Sequence, residues 1–304
     1  MPSAIKLGHV GIVARNYQAM LDYYTGILGF ELVEQTARTS YLRVGVDHHA
    51  VALHKTGEKP GLEHIAFQID CEHPLAEVVK ELSADGISAR VQSDADPSIP
   101  ELVSFSDCTG VRVELYAEVK YPPRIQKRSG FAPRKFGHVA REVSDVREAC
   151  SYYTRRLGFR VSDWMGDFFV FMRCGPEHHT VNFIAAARPD LHHVAYEVND
   201  WADIQKSTDL LGAHGIRLIW GPVRHGIGHN ISAYHRDPDG NRVELFCELD
   251  LMLDERLGYF EPRPWHEDNP QRPKVWSPAD YRTVSLWGIE PGENFGTISP
   301  AEGS

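Results

Sequence analysis

Residues 224–246 read R-H-G-I-G-H-N-I-S-A-Y-H-R-D-P-D-G-N-R-V-E-L-F, and the reading of this stretch organises the rest of the chain. It closes on an apolar, β-prone run from Arg242 to Phe246, entered through the tight turn Asp237-Pro238-Asp239-Gly240. Ahead of the turn lie His225, His229, His235 and Tyr234. Within the closing strand Glu244 stands between Val243 and Leu245, where a carboxylate is costly unless a cation meets it. Its two strongest companions are upstream, His138 in F-G-H-V-A-R-E-V and His193 in L-H-H-V-A-Y-E-V. Two neutral imidazoles and one carboxylate, each on a strand, form the ligand set of a 2-His-1-carboxylate iron site with open positions.

Working outward, the chain repeats itself. Residues 7–30 and 136–159 share G-H-V, Y-Y-T and L-G-F in one register. Each copy opens on a β-prone segment, passes into a helix-like run and ends at Leu-Gly (Leu28-Gly29 and Leu157-Gly158), a helix end with Gly just beyond it. Three β-prone runs follow, in the first copy Phe30–Glu34, Thr39–Val44 and Ala50–His54. A second unit completes each half. His9 to His64 is 55 positions and Glu114 lies 50 further, while His138 to His193 is 55 and Glu244 lies 51 further. The expected architecture is α+β: four βαβββ units paired into two domains, each a half-open barrel around a cavity. The expected boundaries are residues 1–118 for the N-terminal domain, 119–134 for a linker rich in Pro, Lys and Arg, and 135–250 for the C-terminal domain. Residues 251–304 read as a Pro- and Trp-rich arm or lid without a core of its own.

Composition bounds the function. The 304 residues suffice for two ordinary domains, and 42% hydrophobic with 24% charged is a globular balance. A net charge of -10 with no basic stripe argues against a nucleic-acid partner. The five cysteines (71, 108, 150, 174 and 247) form no C-x-x-C pair, which suits a reducing cytosol. No segment reads as a signal peptide or as a membrane span, so the expectation is a cytoplasmic protein.

The paired βαβββ units, their H-V-A first strands and the P-D-G-N-R-V-E-L closing strand resemble the vicinal oxygen chelate superfamily. More narrowly, the chain resembles its two-domain type I extradiol ring-cleaving dioxygenases. Their signature is followed by Val223-Arg224-His225, seven residues, Ala233-Tyr234, His235-Arg236, Asp237-Pro238-Asp239-Gly240 and Asn241-Arg242-Val243-Glu244. It departs at Ala233, where that family prefers a larger apolar residue. The resemblance implies that His138, His193 and Glu244 bind Fe(II), or Mn(II) in some members, leaving adjacent positions for the two oxygens of a catechol and for O₂. It implies that His179, in H-H-T-V-N-F, stabilises the reduced oxygen and then donates a proton. It implies that His225 and Tyr234 hydrogen-bond the substrate hydroxyls, and that the chain is a homo-oligomer, with a tetramer favoured.

Each of these residues taken singly is compatible with an ordinary structural role; the triad, the loop signature and the repeat register coincide. By strand alternation His178 and His192 are expected on the faces opposite His179 and His193, as structural residues. His229 and His235 receive no role; Arg272, in the arm, reads as a surface arginine before it reads as a group that neutralises an acidic substrate or closes over the site. Trp164, Phe168, Phe183 and Trp220 are expected to line the substrate cavity. The N-terminal half keeps His9, His64, Glu114 and His49, but the offsets of Tyr234 and His225 fall there on Ser104 and Ala95. That half is therefore expected to be a non-catalytic duplicate, able at most to bind a stray divalent ion. Two other readings share the fold: a metal-dependent glyoxalase-like isomerase and a non-catalytic small-molecule binding protein.

Overall fold

The apolar run that opens the first repeat forms β1 (Ser3–Val13), in which Leu7, Val10 and Ile12 are buried. It leads through α1 (Tyr17–Asp22) and a π-helical turn over Tyr23–Ile27 into β2 (Glu31–Gln35), β3 (Thr39–Arg43) and β4 (Val51–His54). The computed structural model describes residues 3–56, 59–70, 74–121, 123, 130–254, 259–260, 273–292 and 295. The first helix is shorter than its sequence pattern predicts. The Thr25 hydroxyl donates to the Leu21 carbonyl and Gly26 follows, two features that loosen an α-helical turn. The second unit comprises β5 (Gly61–Asp70), α2 (Leu75–Ala84), β6 (Arg90–Asp96), β7 (Ile99–Ser106) and β8 (Arg112–Tyr116). The sheet order is β2-β3-β4-β1-β5-β8-β7-β6. Within each unit the last strand lies parallel to the first, and the units meet where β1 and β5 pair antiparallel.

The other half repeats this plan. β9 (Lys135–Val143) is followed by α3 (Val146–Leu157), β10 (Arg160–Met165), β11 (Phe169–Arg173) and β12 (Val181–Ala185). Asp145 caps α3 by accepting from the amides of Arg147 and Glu148, and Gly158 ends it at φ 69°, a left-handed conformation that favours glycine. The last unit is β13 (Leu191–Glu197), α4 (Trp201–Ala213), β14 (Leu218–Arg224), β15 (Ile231–Arg236) and β16 (Arg242–Cys247). The order β14-β15-β16-β13-β9-β12-β11-β10 is extended at its edge by Val275–Trp276 of the arm, parallel to β10. The fold is α+β, four βαβββ units curled in pairs into two half-barrels.

One hydrophobic core runs through both halves. Phe30 packs edge-on against Tyr196 at 4.9 Å, and Phe67 against Phe159 at 5.3 Å. Two polar contacts accompany it: Asp107 accepts from Arg141 (2.7 Å) and Tyr153 (2.9 Å), and Tyr23 meets His235 at 2.6 Å. His235, without a role in the sequence reading, thus belongs to the contact between the halves. Among the described residues no helix is long and apolar enough to cross a membrane.

Candidate metal centre

Pairing brings together three side chains that lie 55 and 51 positions apart in sequence. In the sheet β13 lies between β9 and β16, so His138, His193 and Glu244 come from three adjacent strands. Their ligand atoms form a small triangle: His138 Nε2 to Glu244 Oε2 is 3.0 Å, His193 Nε2 to the same oxygen 3.1 Å, and the two Nε2 atoms are 3.1 Å apart. Three mutually cis ligands about 2.1 Å from one ion are about 3.0 Å apart, whereas tetrahedral ligands are about 3.4 Å apart. The triangle therefore fits one face of an octahedral ion, the arrangement that leaves positions open.

The surroundings set the charge states that ligation needs. Glu244 is 1% exposed. Burial pushes its carboxyl up, but His138 and His193 outweigh burial and hold it well below the usual range. Burial lowers His193 to about 4, leaving it neutral. The other carboxylate oxygen, Glu244 Oε1, accepts from Ser232 Oγ at 2.6 Å and Asn230 Nδ2 at 3.0 Å. These partners aim Oε2 at the histidines, an outer layer that orients the ligand. Sequence reading missed both. Strand alternation carries the signal for Ser232, which shares a face of β15 with Tyr234, itself opposite Glu244.

Beside the triangle opens a cavity of about 270 Å³. His179, His225 and Tyr234 all border it. His225 Nδ1 donates to the Val284 carbonyl at 2.7 Å, so its Nε2 is the acceptor facing Tyr234 Oη at 2.9 Å. Burial lowers His225, and burial together with Glu244 pushes the Tyr234 phenol well above its ordinary value; both are neutral. On the other side His179 packs against His138 with ring centroids 4.4 Å apart. Burial first, then the neighbouring His138 and His178, lowers it well below the usual range.

Two expectations about the histidine pairs are corrected. His192 does not face away: its Nδ1 lies 2.6 Å from His193 Nδ1 and its ring borders the cavity. The register shifts between Leu191 and His193, a bulge that breaks alternation and turns adjacent histidines to one side. His178 likewise stays beside His179, Nδ1 to Nδ1 at 3.0 Å, because both precede β12 and no strand alternates them. Its Nε2 meets Asp163 at 3.1 Å. The cavity wall needs correction too. Phe168 and Trp220 line it, but Trp164 and Phe183 do not. Alternation turns their neighbours Met165, Asn182 and Ile184 inward, while Phe183 enters the core and Trp164 lies under the Arg147 guanidinium at 4.0 Å.

The arm completes the site. Thr283, Val284 and Phe295 border the cavity, and Phe295 packs on Trp220 (5.0 Å) and Tyr234 (5.3 Å). Asp163 anchors it by accepting from the Lys274 amide and Trp276 Nε1. His229, also without a role in the sequence reading, pairs with Asp250 at 2.6 Å and steadies the loop before β15. Arg272 lies outside the described residues.

Comparison with known proteins agrees with this geometry. Residues 6–115 and 135–245 match the profile of the Glyoxalase/Bleomycin resistance protein/Dioxygenase superfamily. The chain belongs to this superfamily. It is 26% identical to the manganese-dependent 2,3-dihydroxybiphenyl 1,2-dioxygenase of Geobacillus genomosp. 3, over 89% of this chain and 93% of that one. It is 27% identical to the 3-methylcatechol 2,3-dioxygenase of Pseudomonas putida, over 93% and 96%. Among solved structures, the Mn(II)-bound glyoxalase from Novosphingobium aromaticivorans superposes with a TM-score of 0.83 at 26% identity, covering 99% of both chains.

Proposed function

We propose that the C-terminal half cleaves a catechol beside its two hydroxyls, consuming O₂ and placing both oxygen atoms in a muconic semialdehyde-type product. His138, His193 and Glu244 hold Fe(II), with Mn(II) as the alternative, and the relatives named for dioxygenases support this choice of chemistry. Held by these three residues, the ion would supply adjacent positions for diol and O₂ and a path for electrons between them. One observation carries the reading: a cis His-His-Glu face opens onto an aromatic-walled cavity in which an imidazole and a phenol meet at 2.9 Å.

The chain's own groups do the proton work. A diol entering beside Tyr234 finds His225 Nε2 unprotonated, because Nδ1–H is committed to Val284; Nε2 takes one hydroxyl proton. Tyr234, a neutral phenol, donates to the diol oxygen. On the far side, His178 donates through Nε2 to Asp163, so its Nδ1 accepts from His179 Nδ1–H. That leaves His179 Nε2 as a lone pair toward the cavity, where it would take the proton of the diol's second hydroxyl and give it back to the opening ring. Phe169 and Phe171, stacked at 4.2 Å, belong to a wall that excludes water. Among the described lining residues there is no Lys or Arg, which favours a neutral ring or an alkyl- or halo-catechol over a carboxylated one.

The fold likeness to a glyoxalase supports a second reading, a metal-dependent isomerase. Against it, Glu244 is the only carboxylate among the described lining residues and it belongs to the ligand set, leaving no second carboxylate to move a proton from carbon. A non-catalytic binder would have no use for the oriented triad. We further take the chain to be a cytoplasmic homo-oligomer, a tetramer by preference; the four described cysteines are free thiols, as a reducing compartment requires. Anaerobic purification, metal analysis and O₂ uptake with a panel of catechols tests the main reading. Uptake with a yellow product is expected, and bound metal with no uptake on any diol overturns it in favour of the isomerase.

A further inference from the structure

The N-terminal half carries a feature that the sequence offsets did not reveal. Its strands set out His9, His64 and Glu114 as the other half sets out His138, His193 and Glu244, but here a fourth side chain joins them. Asp96, at the end of β6, reaches in from a hairpin whose turn is only Pro97-Ser98. One ligand atom from each of the four residues lies within 4.8 Å of the others. His9 Nε2 is 3.0 Å from Asp96 Oδ2 and 3.8 Å from Glu114 Oε2, and His64 Nε2 is 3.6 Å from that oxygen. The side chains of His9, His64 and Glu114 are almost wholly buried, and that of Asp96 is 9% exposed.

All four converging atoms, His9 Nε2, His64 Nε2, Asp96 Oδ2 and Glu114 Oε2, are buried and make no well-aligned hydrogen bond; His9 and Asp96 approach as an ion pair at 3.0 Å, and His49 Nε2, also buried without a hydrogen bond, stands 3.9 Å from Asp96 Oδ2. Four such polar atoms, two of them carboxylate oxygens, aimed at one point are costly unless a cation sits among them. The surrounding groups present them as ligands. His64 Nδ1 is engaged from outside the cluster by Glu63 and by Arg112 Nη2 (2.8 Å), which keeps Nε2 as the nitrogen that faces inward, and Arg112 Nε forms an ion pair with the other Glu114 oxygen at 3.2 Å. Of these three edges the His9–Asp96 one, at 3.0 Å, matches those of the C-terminal triangle, whereas the two to Glu114, at 3.8 and 3.6 Å, are wider; together they bracket the roughly 3.4 Å of a tetrahedron.

We infer that the N-terminal half binds a second divalent first-row ion, Zn(II) by the closed N₂O₂ donor set, through His9, His64, Asp96 and Glu114. The fourth protein ligand occupies the side on which the C-terminal half receives substrate. The adjoining surface, lined by the Asp94–Pro100 hairpin and Lys120, is polar where the other cavity is aromatic. The ion therefore ties β1, β5, β8 and the hairpin together and takes no diol.

The test is metal stoichiometry of the full chain, reconstituted anaerobically with Zn(II) or Co(II), and it reads out independently of any dioxygenase activity. Two ions per chain are expected. Glu244→Gln is expected to retain one, whose Co(II) form gives the intense visible absorption of a four-coordinate site. Asp96→Ala also retains one and loses that absorption, and the same variant loaded with Fe(II) in place of Zn(II) or Co(II) keeps O₂ uptake with catechol within about twofold of the Fe(II)-loaded parent. One ion per parent chain, or none in Glu244→Gln, overturns the inference. The Glu244→Gln arm decides even where Asp96→Ala fails to fold.

Discussion

The two halves share three ligand positions and nearly the same spacing, yet they differ in what one hairpin delivers above those ligands. Between β6 and β7 a two-residue turn brings a carboxylate into the cluster. Between β14 and β15 a six-residue loop carries His225 past the triad, and Tyr234 follows at the place where the first half has Ser104. The C-terminal half also has the arm behind His225 and the aromatic wall. Duplication thus preserved the ligand geometry, and the loop decides between an open face and a closed one. A metal triad alone identifies a site; the groups facing its open side identify a chemistry.

The largest effect comes from exchanging the halves in the experiment. Glu244→Ala and His193→Ala should abolish O₂ uptake, since each removes a donor from the cis face, while Glu114→Ala should leave cleavage intact and lower only thermal stability and metal content. Uptake lost through Glu114 and kept through Glu244 would reverse the assignment of the two cavities. Next in size is Tyr234→Phe, which makes the C-terminal hairpin resemble the N-terminal one in lacking a phenol. A fall in kcat of roughly 10²-fold is expected for the loss of a proton-transfer partner. An unchanged kcat with a raised KM would reduce Tyr234 to a binding contact.

Most of this architecture was legible because a repeat fixes it. G-H-V and L-G-F in register give the unit, and constant offsets place three ligands on strands whose pairing is then forced. What escaped the sequence depends on local geometry that offsets cannot carry. Asp96 was missed because the hairpins differ in length, so the position aligned with His225 falls on Ala95, one residue away from the side chain that reaches the cluster. His192 was sent to the wrong face by an alternation that a bulge interrupts. Phe183 is expected in the cavity, but the alternation of β12 sends Asn182 and Ile184 there instead. The C-terminal arm was recognised as a cover, but only the fold shows Val284 fixing the tautomer of His225.

Ser232→Ala sharpens the comparison on the ligand side. It removes the 2.6 Å donor to Glu244 Oε1 and leaves Asn230 as the remaining partner. Metal affinity should fall roughly 10- to 100-fold, with kcat at saturating metal little changed. Competition against a chelator measures it; a loss of kcat at full occupancy would instead assign Ser232 to the reaction.

The smallest effect concerns the seam between the halves, where one contact is ionic and the other neutral. Arg141 and Asp107 form the first; Tyr23 and His235 form the second. Burial lowers His235 to about 3, and burial raises Tyr23 well above its ordinary value. In the unfolded chain a histidine takes its proton near pH 6.5, whereas folded His235 stays neutral down to about 3. Between those limits the unfolded state binds the extra proton, so this group's contribution is full above pH ~6.5 and declines as the pH falls, by about 1.4 kcal/mol per pH unit. Thermal unfolding of the parent and of His235→Gln should converge at low pH, with the variant showing the shallower decline from pH 6.5 to 4. Parallel curves would mean that His235 charges in place, making this seam as ionic as the one at Asp107.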